Sequence, residues 1–180
     1  MTVDNVKTTT PTAVPITLTP GRYRLDRELT TVRFSARKLG VFTIRGSIGV
    51  VSGDFTVGER LEDSTLHAVL DAATLRTPMA KRDEHVQGET LLDVARFPSM
   101  EFVSTEVART TRGWEIRGHL TVHGEVAPAV LAVSSVRQEG ALVQVVASAR
   151  VDRRMFGVTR MRAAASAHID VAVDAVGAPF

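Results

Sequence analysis

Between Trp114 and His123 the chain alternates residue by residue. Trp114, Ile116, Leu120 and Val122 fall on one side; Glu115, Arg117, His119, Thr121 and His123 fall on the other. Side chains on an extended strand point to its two faces in turn, so this is a strand with one face buried and one in water. The same pattern over 31–37 sends Val32, Phe34 and Ala36 inward, and over 168–174 it sends Ile169, Val171 and Val173 inward. Residues 142–151 carry it more weakly. Val146 interrupts the polar face there, while Val143, Val145, Ala147, Ala149 and Val151 share the inner one. Turn residues separate the runs, at Leu39-Gly40, Ser52-Gly53-Asp54, Arg112-Gly113, His123-Gly124 (with Pro128 after it) and Glu139-Gly140.

About eight strands follow, near 22–27, 31–38, 43–51, 64–71, 100–109, 114–122, 129–137 and 141–151, with a further one near 166–175. Only residues 72–95 depart from the rule. A helical insert is expected near 77–94, with a short helix around 79–87 that Pro78 keeps from starting earlier. Many short strands and almost no helix mean an all-β barrel or sandwich, and period two does not choose between them. Open sheet edges are commonly guarded by lysine, and after Lys7 the chain has only Lys38 and Lys81. Closure removes the need for guards, which favours a single antiparallel eight-stranded barrel with room for side chains or one small ligand.

The chain of 180 residues suits one domain with a sizeable core. We place that domain at 21–178 and read 1–20, which is Thr-rich and broken by Pro, as a flexible leader. The leader lacks the apolar stretch of a secretory signal, no run approaches the length of a membrane span, and a cytoplasmic protein is expected. Twenty-two Lys and Arg against 20 Asp and Glu leave no basic block for nucleic acid. The arginines at 150, 153, 154, 160 and 162 form the densest patch and read as a solvated rim. There is no Cys, hence no disulfide and no thiolate metal site.

Five blocks of sequence occur in a familiar order. They are Val32-Arg33-Phe34-Ser35-Ala36-Arg37-Lys38-Leu39; Ile44-Arg45-Gly46 with Ser52-Gly53; a central stretch; Gly118-His119-Leu120-Thr121-Val122-His123-Gly124; and Val151-Asp152-Arg153-Arg154-Met155-Phe156-Gly157-Val158. The central stretch runs Arg82-Asp83-Glu84-His85, Leu91-Leu92-Asp93-Val94, then Phe97-Pro98-Ser99-Met100-Glu101-Phe102. Together they resemble the YceI-like proteins, whose usual central wording is R-D-x-H-L, F-F-D-V and Y/F-P-x-I-x-F-x-S-T. Each block alone is weak, and their order over about 150 residues carries the resemblance. The chain departs from the pattern at Leu29 and Lys38, where His is usual, and at Ile48, Leu91 and Leu92, where aromatics are usual. These departures keep the wall apolar and change its volume.

The resemblance implies a lipocalin-like barrel that holds a long apolar molecule and is no enzyme. The expected lipid is a polyisoprenoid, a quinone-like molecule or a fatty-acid derivative. The alternation names Phe34, Ala36, Trp114 and Ile116 for the wall. The matched blocks add Ile44, Ile48, Leu91, Leu92, Phe97, Phe102 and Phe156, and Met79 and Met155 are adaptable wall candidates. Arg82, Asp83 and His85, beside the insert, are expected at a polar mouth or lid. No cofactor or metal is expected. His119 and His123 have a helical metal-pair spacing, but on a strand the same offset puts them about 13 Å apart. Asp83 and His85 lack the nucleophile elbow a hydrolase would need. The competing reading is a ligand-free stress-response or interaction module with a packed core, able to form a homodimer.

Overall fold

The computed structural model describes residues 18–38, 41–160 and 166–180; the expected leader lies outside them up to residue 17. Nine strands and one helix follow in order: β1 (Gly21–Leu25), β2 (Thr31–Lys38), β3 (Phe42–Val57), β4 (Thr65–Arg76), α1 (Ala80–Gln87), β5 (Ser99–Thr110), β6 (Gly113–Val122), β7 (Glu125–Glu139), β8 (Leu142–Asp152) and β9 (His168–Pro179). Short 3₁₀ turns occupy Leu61–Asp63 and Arg153–Phe156.

Every pairing is antiparallel, and the sheet closes on itself. Strands β2 to β9 pair in sequence order, and β9 returns to β2 through Val32↔Val173 and Phe34↔Val171. Strand β1 lies where β2 stops, between the far ends of β3 (Tyr23↔Phe55) and β9 (Tyr23↔Pro179). β1 and β2 thus fill one strand position between them, and the barrel has eight positions, as the sequence suggests. The break between them is orderly. Asp26 Oδ1 accepts from the N–H of Glu28 at 2.8 Å and of Leu29 at 3.0 Å. The Thr30 hydroxyl accepts from Val176 N at 3.1 Å and donates to Val176 O at 3.3 Å.

Closing a ring requires strands to bend, and β3 bends at register shifts between Ser47 and Gly49 and between Val50 and Ser52. Glycines on the inner face make room for aromatic rings. Phe34 pairs directly with Gly46, where an added Cβ would sit 2.3 Å from the ring. A Cβ on Gly118 would lie 2.7 Å from the Phe102 ring and 2.3 Å from Val103 O. The expected turn at Ser52-Gly53-Asp54 is strand instead: Gly53 pairs with Ala68, and a Cβ there would strike Leu25 and His67 O. Gly53 signals close packing rather than a reversal of the chain.

The core is split between the two ends. At the base, Tyr23, Leu25, Phe55, Val57 and Val143 pack together, with the Tyr23 and Phe55 rings stacked at 5.1 Å and 8°. At the other end, Leu75, Leu91, Leu92, Val122, Ala127, Phe156 and Val158 form a second cluster under the insert between β4 and β5. An apolar cavity lies between these two plugs.

Candidate functional site: an apolar cavity under an inserted lid

The cavity measures about 310 Å³. Every strand position contributes to its wall, mostly through residues of one alternating face. β2 supplies Val32, Phe34 and Ala36; β3 supplies Ile44, Ile48 and Val50; β4 supplies Leu66, Ala68, Leu70 and Leu75. Met100 and Phe102 come from β5, Leu120 and Val122 from β6, Ala129 and Leu131 from β7, and Ala149 and Val151 from β8. Ile169, Val171, Val173 and Ala175 of β9 complete the ring. The insert covers one end with Val86, Leu91 and Leu92, joined by Phe156 and Val158.

The insert is shaped by polar contacts within itself and to the barrel. Asp83 is buried, and its Oδ1 accepts from Thr77 N at 2.9 Å and from the Thr77 hydroxyl at 2.7 Å. Gln87 Nε2 donates to the carbonyls of Ala73 at 3.1 Å and Leu75 at 2.9 Å on β4. Beyond α1, Leu92 N bonds Val86 O and Asp93 N bonds Gly88 O, with Asp93 in the left-handed region at φ 45°. That reversal drives Leu91 and Leu92 down into the barrel, leaving them 3% and 8% exposed. The helix itself is polar, and Val86 is its contact with the core.

Four polar residues reach the wall: Thr30, Thr77, Arg82 and Arg153. Thr30 is tied to Val176 and Thr77 to Asp83. Arg153 is buried and donates to Ser166 O at 3.0 Å and to Val158 O. It is no part of a solvated rim, because its guanidinium is needed by carbonyls that the turn after β8 leaves inside. Of its neighbours, Arg150 pairs loosely with Asp170, Arg160 is exposed, and Arg162 lies outside the described residues. Arg154 grips Asp152 at 2.9 and 3.0 Å through Nε and holds that carboxyl well below the usual range.

Among the expected wall residues, Phe34, Ala36, Ile44, Ile48, Leu91, Leu92, Phe102 and Phe156 line the cavity. Trp114 and Ile116 do not. Ile116 pairs with Leu131, which does line it, and so shares the inner face, while Trp114 lies two residues nearer the end of β6 away from the insert. Phe97 packs outside, edge-on to His123 at 4.7 Å over the β6–β7 turn. His119 is exposed on the outer face of β6. Met79, just before α1, and Met155, in the 3₁₀ turn after β8, are 53% and 52% exposed and do not line the cavity. At the expected mouth, Arg82 meets the cavity, Asp83 is a structural anchor for Thr77, and His85 points to solvent.

A second hollow of about 360 Å³ opens on the surface, between the start of β3 and the start of α1. Lys38, Phe42, Thr43, Ile44, Arg45, Pro78 and Arg82 line it. Ile44 and Arg82 also line the cavity, so the two spaces share a wall. Among the described residues, no helix is long and apolar enough to cross a membrane.

Solved structures share this fold, and curated relatives share part of the sequence. A UPF0312 protein of Yersinia pestis is 31% identical over 112 residues, covering 61% of this chain and 58% of the relative. The match thus spans less than two thirds of that relative's length. BcnA of Burkholderia cenocepacia superposes with a TM-score of 0.69 at 17% identity, over 84% of this chain and 98% of that one. A structure from Saccharophagus degradans, described as a polyisoprenoid binding domain implicated in plant cell wall breakdown, gives 0.66 at 12% identity, over 90% and 100%. The model of the YceI-like domain matches residues 23–177, from the ring of Tyr23 in the base to the glycine beneath Phe55, and the chain belongs to that family.

Proposed function

We propose that the barrel binds one long apolar chain, as a polyisoprenoid, quinone-like or fatty-acid tail, and carries or sequesters it unchanged. One observation carries this reading: a hollow walled by aliphatic and phenyl side chains from all eight strand positions, capped at both ends. Burying about 300 Å² of alkyl surface there is worth about 7 kcal/mol at ~25 cal/mol per Å², before ordering costs are subtracted. A volume of about 310 Å³ is at the small end of small-molecule sites and suits a single chain better than a ring system. The polar groups at the wall already have protein partners, which supports retention over chemistry. The description of the Saccharophagus degradans domain as polyisoprenoid-binding supports the ligand class.

Mass spectrometry under native conditions, then after organic extraction, tests this directly. A stoichiometric lipid that comes off on extraction is the expected result. Ala149→Phe fills the cavity from β8, and should lower affinity for a fluorescent fatty acid by tenfold or more with the fold intact. A wild-type protein that stays bare after incubation with prenyl and fatty-acid mixtures would overturn the reading in favour of a packed interaction module.

A further inference from the structure

The exposed apolar side chains are not spread evenly around the surface hollow. Val41 is 80% exposed and Phe42 65%, where the chain enters β3, and Met79 is 53% exposed at the start of α1 across from them. The cations Lys38, Arg45 and Arg82 line the same hollow, and among the described residues no acid does. Arg82 Nη2 lies 3.0 Å from Met79 Sδ, so the cation rests on the apolar rim. The base of the barrel contrasts with this. There the exposed Phe180 is covered by the guanidiniums of Arg22 and Arg24 at 4.8 and 4.3 Å, and the Tyr23–Phe55 stack closes the way in.

We propose that this rim docks on the surface of an anionic lipid bilayer, and that the shared wall at Ile44 and Arg82 is where a lipid passes into the barrel. The inference rests on the reading of the cavity as a lipid site. The chemistry matches the partner: Val41, Phe42 and Met79 suit the acyl boundary, and Lys38, Arg45 and Arg82 suit the phosphates just above it. Docking at the entrance also spares an apolar chain the passage through water, which is the costly step in moving it.

The test uses the full chain with two kinds of vesicle, phosphatidylcholine alone and phosphatidylcholine mixed with phosphatidylglycerol. Flotation should recover the protein with the anionic vesicles, less so as salt rises. Val41→Asp with Phe42→Asp, and Lys38→Glu with Arg45→Glu, should each cut the bound fraction at least about tenfold. Uptake of a fluorescent fatty acid from ethanolic stock should stay at the wild-type level in both variants, since these residues lie outside the cavity. Transfer of the same probe from vesicles should quicken with vesicle concentration for wild type and not for the variants. Wild-type protein that takes up the probe from ethanol yet ignores both vesicles overturns docking and leaves the lipid site standing. So does a Phe42-dependent dimer in sizing columns without vesicle binding. Failure of every form to take up the probe from ethanol overturns the lipid site itself, and docking with it.

Discussion

The two ends of the barrel are closed by different means. At the base, the plug belongs to the strands: Tyr23 of β1 stacks on Phe55 of β3, above a Val143 with no exposed surface. Each of these residues is also held by ladder hydrogen bonds, so the plug yields only if the sheet does. At the other end the plug belongs to an insert. Leu91 and Leu92 reach the cavity from a segment held by their own burial and by a few side-chain hydrogen bonds, chiefly Gln87 to β4, with Asp83 to Thr77 bracing the insert itself. Opening that end unpacks the leucines and breaks a handful of bonds, and leaves the ring intact. The contrast separates a floor built into the sheet from a cover laid over it.

The largest effect should come from the base. Phe55→Ala removes half of the stack from a buried site and is expected to cost about 3–5 kcal/mol, read as a fall in the denaturant midpoint. Were the loss as small as at an exposed site, the base would not be the fixed end. Asp83→Ala comes next. It removes a buried acceptor of two hydrogen bonds, for about 1.5–3 kcal/mol. Release of a bound fluorescent fatty acid should quicken by more than the stability loss predicts, whereas Phe55→Ala should change the two in step. Equal behaviour of the two variants would erase the distinction between floor and lid.

The sequence displays the ring well and the lid poorly, for a physical reason. Alternation reports which face a side chain takes, so Phe34, Ala36, Val171 and Leu120 are legible as inward. It says nothing about height along the barrel axis. Trp114 and Ile116 share the face of Leu120 and Val122, yet they miss the cavity because β6 runs its full length from base to lid. Leu91 and Leu92 were within reach only through the family's paired-aromatic position. Asp83 is expected at a polar mouth and is instead a buried anchor, because its partner, Thr77, is six residues away in an irregular loop, a spacing with no periodic signature. Arg153 was hidden among exposed arginines, since the carbonyls it satisfies come from the folded turn.

The smallest effect is expected at the exposed pair of Asp152 and Arg154, beside the lid end. Arg154, by side-chain and backbone hydrogen bonds, lowers the Asp152 carboxyl relative to its unfolded value. Its contribution is therefore complete above the ordinary carboxylate range and fades as pH falls through the lowered folded value. Against Asp152→Asn, wild-type protein should show a small advantage in Tm that is flat above about pH 5 and shrinks in stronger acid. An advantage that grew with acid would mean the pair is not ionised in the folded state.

The divided first strand has a consequence for what shape of container this is. The ring closes through β2, while β1 adds its residues only at the bottom, including the Tyr23 that caps the well. Five residues, Gly21 to Leu25, thus complete a floor whose other members, Phe55, Val57 and Val143, come from strands of the ring. With them lifted away, β2 still joins β3 to β9 at the lid end, while the lower ends of β3 and β9 lose their partner. On the proposed reading of the cavity as a lipid site, the shortest strand would then decide whether the floor is tight enough to set the length of the bound chain.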